Sequence, residues 1–343
     1  MSVPLVSVII AVYNGESFIA EAVESILRDE LLALELVVVD DGSTDGTLPA
    51  LLRFCDDRLT VIKNEHNRGV SFSFNRAIKR SSGKYIAFLG ADDISLPHRL
   101  KTQYDFMEAH PDIDICGSWA EIFGEKSLVL RLPETDAEIK AFFLFENALV
   151  HSSVIMRRDF IMRHNLYYNE NLPCAVDYDL WARALDLAKF HNIPQVLVRY
   201  RTHPAQMGEM RKKEQERIAK NIVKSLLEKG GIFPSSEQLD LHYAFGRGYI
   251  FPQSIEELET LLQWTDRLRN EKKIPEKYTL VSKEIDSRFN VIGHYHRLLG
   301  HADGVMKSFV HHVLFRPAVS WREKARFMAR WVKKIFFKGT RIG

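Results

Sequence analysis

Two adjacent aspartates, Asp92 and Asp93, follow the apolar run Tyr85 to Leu89 after Gly90 and Ala91. Carboxylates crowded at the mouth of a buried strand are costly unless a cation or donors neutralise them, so the pair suggests a divalent metal. Mg2+ or Mn2+, held by one or two carboxylates and completed by phosphate oxygens, fits such a hard-oxygen set. The competing reading is a helix cap, because a helix-like segment follows Asp93. A second acidic cluster, Asp40-Asp41-Gly42-Ser43-Thr44-Asp45-Gly46, reads either as a solvated turn or as a place where Asp41 accepts a hydrogen bond from a base edge. It is not an EF-hand, because no glutamate closes the twelve-residue spacing. Asp177 and Asp179 stand in the segment DYDLWAR, and His151 and His203 in HSSVIMRRD and YRTHPAQ.

These residues need elements to hold them. Leu5 to Val12 is a continuous, β-branched apolar run, and apolar residues at 18, 19, 22, 23, 26 and 27 give Ser17 to Leu27 the helical period. The unit repeats: strand Leu34 to Val39, helix Thr47 to Phe54, strand Leu59 to Lys63, helix Val70 to Lys79, strand Tyr85 to Leu89. Strands alternating with helices predict a mostly parallel, doubly wound α/β sheet with its ligand site beyond the carboxyl ends of the strands. Tyr13-Asn14-Gly15, the Asp40-Asp41 cluster and Asp92-Asp93 all fall at such ends. Next come a helix over Leu100 to Glu108, strands over Ile113 to Trp119 and Ser152 to Met156, a helix over Tyr178 to Leu187, and a strand over Gln195 to Tyr200. The expected organisation is a catalytic domain over 1–208, a helical region over 209–316 and a basic amphipathic tail helix over 317–343. Within the helical region, Phe289 to Pro317 carries one repeat-like pattern of the tetratricopeptide type, which a single copy leaves weak.

A chain of 343 residues exceeds what one core usually fills, in keeping with more than one unit. Three distant cysteines, Cys55, Cys116 and Cys174, fit free thiols in a reducing cytoplasm better than a disulfide scaffold. Val6 to Val12 lacks the basic leader of a secretory signal, and no stretch has the apolar length of a spanning helix. The expected location is the cytoplasm, with peripheral contact on the inner face of the cell membrane.

Taken together, SVIIAVYNGESFIAEAVESIL, VVVDDGSTDGT, NRGVSFSFNRAIKRSSGKYIAFLGADDISLPHRLKTQ and DYDLWAR resemble family 2 glycosyltransferases of the GT-A fold, over about Val3 to Gln206. The resemblance implies an inverting, metal-dependent transfer of a sugar from a nucleotide-diphosphate donor. It places Val12, Tyr13, Asn14 and Asp41 around the base, Asn67 and Gly69 on the loop bordering base and ribose, and Ala91 and Asp92 against the nucleotide sugar. Asp92 matches the second aspartate of the DxD-type metal motif; the first is Gly90 here, so either Asp93 assists or the metal is held more by phosphate and water. Asp177 matches the carboxylate that deprotonates the acceptor hydroxyl, and such a displacement needs one in any case. Val176 replaces the glutamate before it, and Phe74 replaces an arginine of the RN motif, whose part neighbouring Arg76 could take. His203 matches a histidine that reaches the metal or diphosphate, and His151 a recurrent position before a strand. Such a chain takes a nucleotide-sugar donor, probed first as a UDP-sugar, and a glycan or lipid-linked acceptor of cell-surface polysaccharide synthesis.

From Arg316 to Arg341 nine Lys or Arg face one acidic residue, Glu323, with Trp321, Phe327, Trp331, Phe336 and Phe337 interleaved. That composition suits a helix lying on an anionic membrane surface, or equally one packed on the catalytic domain. Nothing in it reads nucleic acid. The three departures, Gly90, Phe74 and Val176, leave a second reading: a non-catalytic nucleotide- or glycan-binding protein on the same fold. A nicotinamide dehydrogenase is excluded as a good fit, because Tyr13-Asn14-Gly15-Glu16 stands where the G-x-G-x-x-G turn belongs.

Overall fold

The structure is a computed structural model and describes residues 4–29, 31, 33–247, 255–270 and 280–288. Strand β1 (Val6–Val12) is buried except at the half-buried Ala11 and pairs in parallel with β2 (Leu34–Asp40) and β4 (Tyr85–Phe88), while β3 (Leu59–Lys63) extends the sheet beyond β2. Helices α1 (Ile19–Leu27), α2 (Thr47–Leu51) and α3 (Val70–Arg80) make the crossovers. Alternation along these strands sorts the core into two layers. Ile9, Val37, Val39, Ile86 and Phe88 face one side, and Val8, Ile10, Leu36, Val38 and Ala87 the other. This half is the expected parallel, doubly wound pattern.

The second half is mixed. A two-residue strand β5 (Ile94–Ser95) precedes α4 (Arg99–Ala109), β6 (Ile115–Gly124) and the short β7 (Leu128–Leu130). Helix α5 (Asp136–Phe143) starts at a capping box in which Thr135 and Glu138 satisfy each other's backbone N–H groups. A 3-10 turn over His151–Ser153 leads into β8 (Ile155–Arg157), so the expected strand over 152–156 is half turn and half strand. Then follow α6 (Arg158–Arg163), α7 (Val176–Ala184) and β9 (Phe190–Thr202). The sheet order is β3-β2-β1-β4-β8-β6-β9-β5, with β7 on β6. β8 is antiparallel to both neighbours and β5 to β9, whereas β6 and β9 run parallel. β9 is far longer than the expected 195–200. Its ladder with β6 jumps from Ile193 against Ser118 to Val196 against Trp119, and Pro194, which has no N–H to donate, sits in that interruption.

Beyond β9 the described chain is helical: α8 (Met207–Met210), α9 (Lys212–Lys229), α10 (Ser236–Gly246), α11 (Ile255–Asn270) and helical residues 281–288. These helices do not form a separate core. Ile218, Ala219, Ile222, Val223, Leu226, Tyr243, Phe245 and Trp264 belong to the same apolar cluster as Phe143, Phe145, Trp181 and Phe190. The buried His242 ties the two parts. Its Nδ1 accepts from Trp264 Nε1–H at 3.1 Å, which leaves Nε2–H to donate to Leu144 O at 2.6 Å. Burial pushes its pKa down to about 4, in keeping with that neutral tautomer. The repeat-like pattern over 289–317 and the tail helix over 317–343 lie outside the described residues.

Candidate active site

The ends of β1 and β2 are laced together before any ligand arrives. Ser43 Oγ accepts from Asn14 N–H at 2.9 Å, Asn14 Oδ1 from Thr44 N–H at 2.9 Å, and Thr47 Oγ1 from Gly15 N–H at 2.8 Å. Asn14 takes the left-handed conformation (φ 52°) that asparagine tolerates better than most residues, which re-aims the chain at the strand end. Val12 is buried beneath, and Tyr13, 48% exposed, projects from the rim. Asp41 is buried, and both its oxygens are taken by the following loop. Oδ1 accepts from Asn64 Nδ2 at 2.6 Å and Arg68 N at 3.0 Å, and Oδ2 from Gly69 N at 2.8 Å. Asp41 therefore holds the loop that carries Asn67 and Gly69, where the sequence alone suggested a base contact. Asn67 Oδ1 also accepts from Gly69 N at 3.1 Å. Arg76, considered as a replacement for the missing arginine, instead donates to Lys63 O at 3.0 Å and to Asn64 Oδ1, bracing the same loop.

At the end of β4 the two aspartates part ways. Asp92 keeps partial exposure, with its Oδ2 3.0 Å from His203 Nε2. Ala91 lies beside it at the rim, half-buried. Asp93 is sealed: Ser152 Oγ donates to its Oδ2, and Arg201 N–H to its Oδ1 at 2.8 Å. Burial first and the charge of Asp92 second raise its pKa. It is not a helix cap, since α4 begins six residues later behind His98. The wholly buried Arg99 donates to Phe88 O at 2.9 Å, and its charge faces Asp29 and Asp93. Of the expected metal set, the structure brings Asp92 and His203 together and encloses Asp93.

Gly90 owes its size to this arrangement. A Cβ there would lie 2.6 Å from Asp93 Oδ2 and 2.9 Å from Asp92 Oδ1. Phe74, the second departure, fills an aromatic cluster, stacked on Tyr168 (centroids 5.0 Å apart) and in contact with Phe88 and His151. His151 belongs to that cluster. It bonds the Tyr168 hydroxyl at 2.7 Å, and burial followed by the charge of Arg99 pushes its pKa down to about 3. That is a packed, neutral histidine.

Asp177 stands in the first turn of α7, after Ala175 in the left-handed conformation (φ 53°). Asn147 Nδ2–H donates to its Oδ2 at 2.8 Å. The residue keeps some exposure, yet burial of the carboxyl raises its pKa against the hydrogen bonds from Asn147 and from the first backbone N–H groups of its helix. Asp179 is spoken for: Arg183 Nε donates to it at 2.9 Å, and Arg183 also bonds Tyr167 O.

Tyr200, on β9, lies within electrostatic reach of Asp92, Asp93 and Asp177. Burial, then the charges of Asp93, Asp92 and Asp177, hold its phenol well above the usual tyrosine range. Its hydroxyl accepts from Gln206 Nε2 at 2.6 Å. Next to it Arg201 clamps the acidic turn through Asp92 O at 2.7 Å and Asp93 Oδ1, with its guanidinium over Phe18 and Phe123. Sequence reasoning passed over Tyr200, Arg201, Ser152 and Asn147. The Tyr-Arg pair beside His203 was a usable signal for the first two, while Ser152 and Asn147 carry none.

The acids at the end of β4 and a histidine after β9 thus meet at the rim of the sheet, next to a wall made from the ends of β1 and β2, and Tyr200 lies within electrostatic reach of both these acids and Asp177 of α7. The chain belongs to glycosyl transferase family 2, whose pattern matches residues 7–168, and it is a glycosyltransferase. An uncharacterized glycosyltransferase of Haemophilus influenzae is 34% identical over 232 residues, 64% of this chain and 72% of its own length. The amylovoran biosynthesis glycosyltransferase AmsE of Erwinia amylovora is 30% identical over 207 residues, 57% of this chain and 75% of its own. Among solved structures, S. aureus TarS 1-349 with UDP-GlcNAc superimposes with a TM-score of 0.57 at 20% identity, covering 87% of this chain and 93% of that one. Mannosyltransferase PcManGT of Pyrobaculum calidifontis, with GDP-Man and Mn2+, gives 0.51 at 16% identity, over 98% and 88%. At those identities the likeness bears on the fold, which is GT-A.

Proposed function

We propose that this glycosyltransferase moves a sugar from a UDP-sugar to a hydroxyl of a glycan or lipid-linked acceptor, with inversion, in cell-surface polysaccharide synthesis. The observation that carries the reading is the pairing of Asp92 with His203 at the end of β4, with Asp92, Asp93 and Asp177 all within electrostatic reach of Tyr200. The UDP-GlcNAc in complex with TarS and the polysaccharide for which AmsE is named support the choice of donor and pathway class.

A divalent cation fits the residues present. Asp92 and His203 offer one hard oxygen and one imidazole nitrogen at the rim, 3.0 Å apart and partly exposed. No group of three such ligands occurs among the described residues, so phosphate oxygens and water would complete the shell. When bound, Mn2+ or Mg2+ would neutralise charge on the departing diphosphate. Mn2+ accompanies GDP-Man in PcManGT.

The chain's own residues do the rest. Tyr13 and Asn14, with the loop of Asn67 and Gly69 held by Asp41, border the base. Asp177 Oδ1 or Oδ2 takes the proton of the acceptor hydroxyl as its oxygen attacks the anomeric carbon and the bond to the diphosphate breaks on the opposite face. Asn147 fixes the orientation of that carboxylate, and Arg201 fixes the turn bearing Asp92. No helix among the described residues is long and apolar enough to cross a membrane. An inner-membrane contact through Trp321–Arg341 is part of the proposal, and equal liposome pelleting of the full chain and a chain ending at Pro317 would discard it. The main test is transfer with Mn2+ by Asp92→Ala and Asp177→Asn. Both should lose about 10²-fold or more in turnover while retaining a cooperative melt. Wild-type-like turnover by either removes that residue from its role.

A further inference from the structure

A cavity of about 70 Å³ opens beside Asp177, and four of its ten lining residues come from the helical segment that follows the catalytic domain. Its lining includes Asn147 and Asp177, Gln215 and Ala219 of α9, Tyr243 of α10, and Arg247 at the C-terminal end of that helix. The helices are held firmly enough to shape it. His242 donates to Leu144 O, and a Cβ on Gly246 would stand 2.8 Å from Phe145 O, so α10 lies backbone-close to the loop that carries Asn147. Ile218, Ala219 and Ile222 bury the face of α9 in the shared core.

The lining points to a class of ligand. Gln215, Arg247 and the neighbouring Glu146 are planar groups with paired donors or acceptors, suited to adjacent hydroxyls, and Tyr178 and Tyr243 supply aromatic wall. Glu146 lies 3.9 Å from Arg247 and 3.4 Å from Arg288, and Glu284 lies 2.7 Å from Arg288, so two carboxylates answer the two guanidiniums there. An ionic partner gains little from a site already balanced. The volume admits several water-sized groups, the hydroxyls along one edge of a hexose, with the rest of the ring outside.

We infer that α9 and α10 complete a subsite for an uncharged sugar ring of the acceptor, with Gln215 and Arg247 reading its hydroxyls and Ala219 leaving it room. This rests on Asp177 being the base of the proposed transfer, since the cavity lies against that carboxylate. It places acceptor selection in the helical region, not only in the loops of the catalytic domain.

The probes are neutral methyl glycosides, measured on the full chain with UDP present by saturation-transfer NMR and titration. Ala219→Leu fills the cavity and Gln215→Ala removes one reader. Each should weaken the best-bound glycoside about tenfold or more, while UDP affinity, which reports the fold at the distant nucleotide wall, stays within about twofold. Equal glycoside affinity in wild type and Ala219→Leu overturns the subsite. So does a wild type that binds none of the glycosides, or one that prefers methyl glucuronide to its neutral counterpart. Because the readout is binding, it stands apart from turnover. Glycoside binding by a wild type that never transfers sugar would overturn the transferase proposal and leave the subsite in place.

Discussion

Asn147 offers the most exacting check on the base, because it touches Asp177 through one bond. Its Nδ2–H donates at 2.8 Å to Asp177 Oδ2, and its Oδ1 accepts from Leu149 N–H at 3.1 Å. Donation favours the ionised carboxylate, opposing the burial that raises its pKa. In Asn147→Leu the donor disappears. A hydrogen bond to a charged group is worth about 1.5 to 3 kcal/mol, or about one to two pKa units. Asn147→Asp keeps an acceptor for Leu149 but sets a second carboxylate against the first. Two unit charges ~4 Å apart at an effective dielectric of ~20 repel by ~4 kcal/mol, ~3 units, so the two acids would share a proton. The base works deprotonated, so each rise moves the acidic limb of kcat/KM to higher pH, further for aspartate than for leucine. At pH above the new limb the rate should return towards wild type. Nucleotide release followed from roughly pH 5 to 9 with donor and a glycoside acceptor reads this directly. Three superimposable profiles, or a uniform loss at every pH, would refute Asp177 as the titrating base.

Asp177 also carries a stability signature. Its folded pKa is raised, so its contribution is fully present below the unfolded value and is lost as pH rises through the folded one. Asp177→Asn should therefore melt at or above the wild-type temperature at neutral pH, with the gap closing as pH falls; a variant equally weakened at both pH values contradicts this. Gly90→Asp, which restores the family's first aspartate, forces a Cβ to within 2.6 Å of Asp93 Oδ2 and should cost about 1 to 3 kcal/mol, read by calorimetry, with no gain in Mn2+ affinity. Tighter Mn2+ binding at unchanged stability would show that packing does not keep glycine there.

Legibility followed the range of the interaction. The apolar runs of β1, β2 and β4 and their terminal acids are local patterns, so the parallel half and the place of its rim could be read directly. The antiparallel insertion of β8 between β4 and β6 could not, because pairing between Ile155 and both Ala87 and Cys116 is set by distant segments. β9 extends well before the expected 195–200 because its ladder with β6 shifts register past Pro194, a long-range pairing that local pattern does not carry. α5 was missed although Thr135 and Glu138 spell a capping box. In the site, residue type and position gave Asp92 as a candidate, while Asp177 and His203 came from the family resemblance. That Asp41 serves a loop, that Asp93 is enclosed and that Arg76 braces Asn64 are contacts between segments, with no trace in spacing.

The apolar cluster that runs across residue 208 bears on how such chains can be recombined. A hybrid joining the front of this protein to the helices of a relative would meet a mismatched seam at Phe145, Ile222 and Tyr243, and a chain stopped at the seam would present a greasy flank to solvent. The two portions are then inherited as a matched set. Swapping one alone should yield insoluble product before it yields altered chemistry.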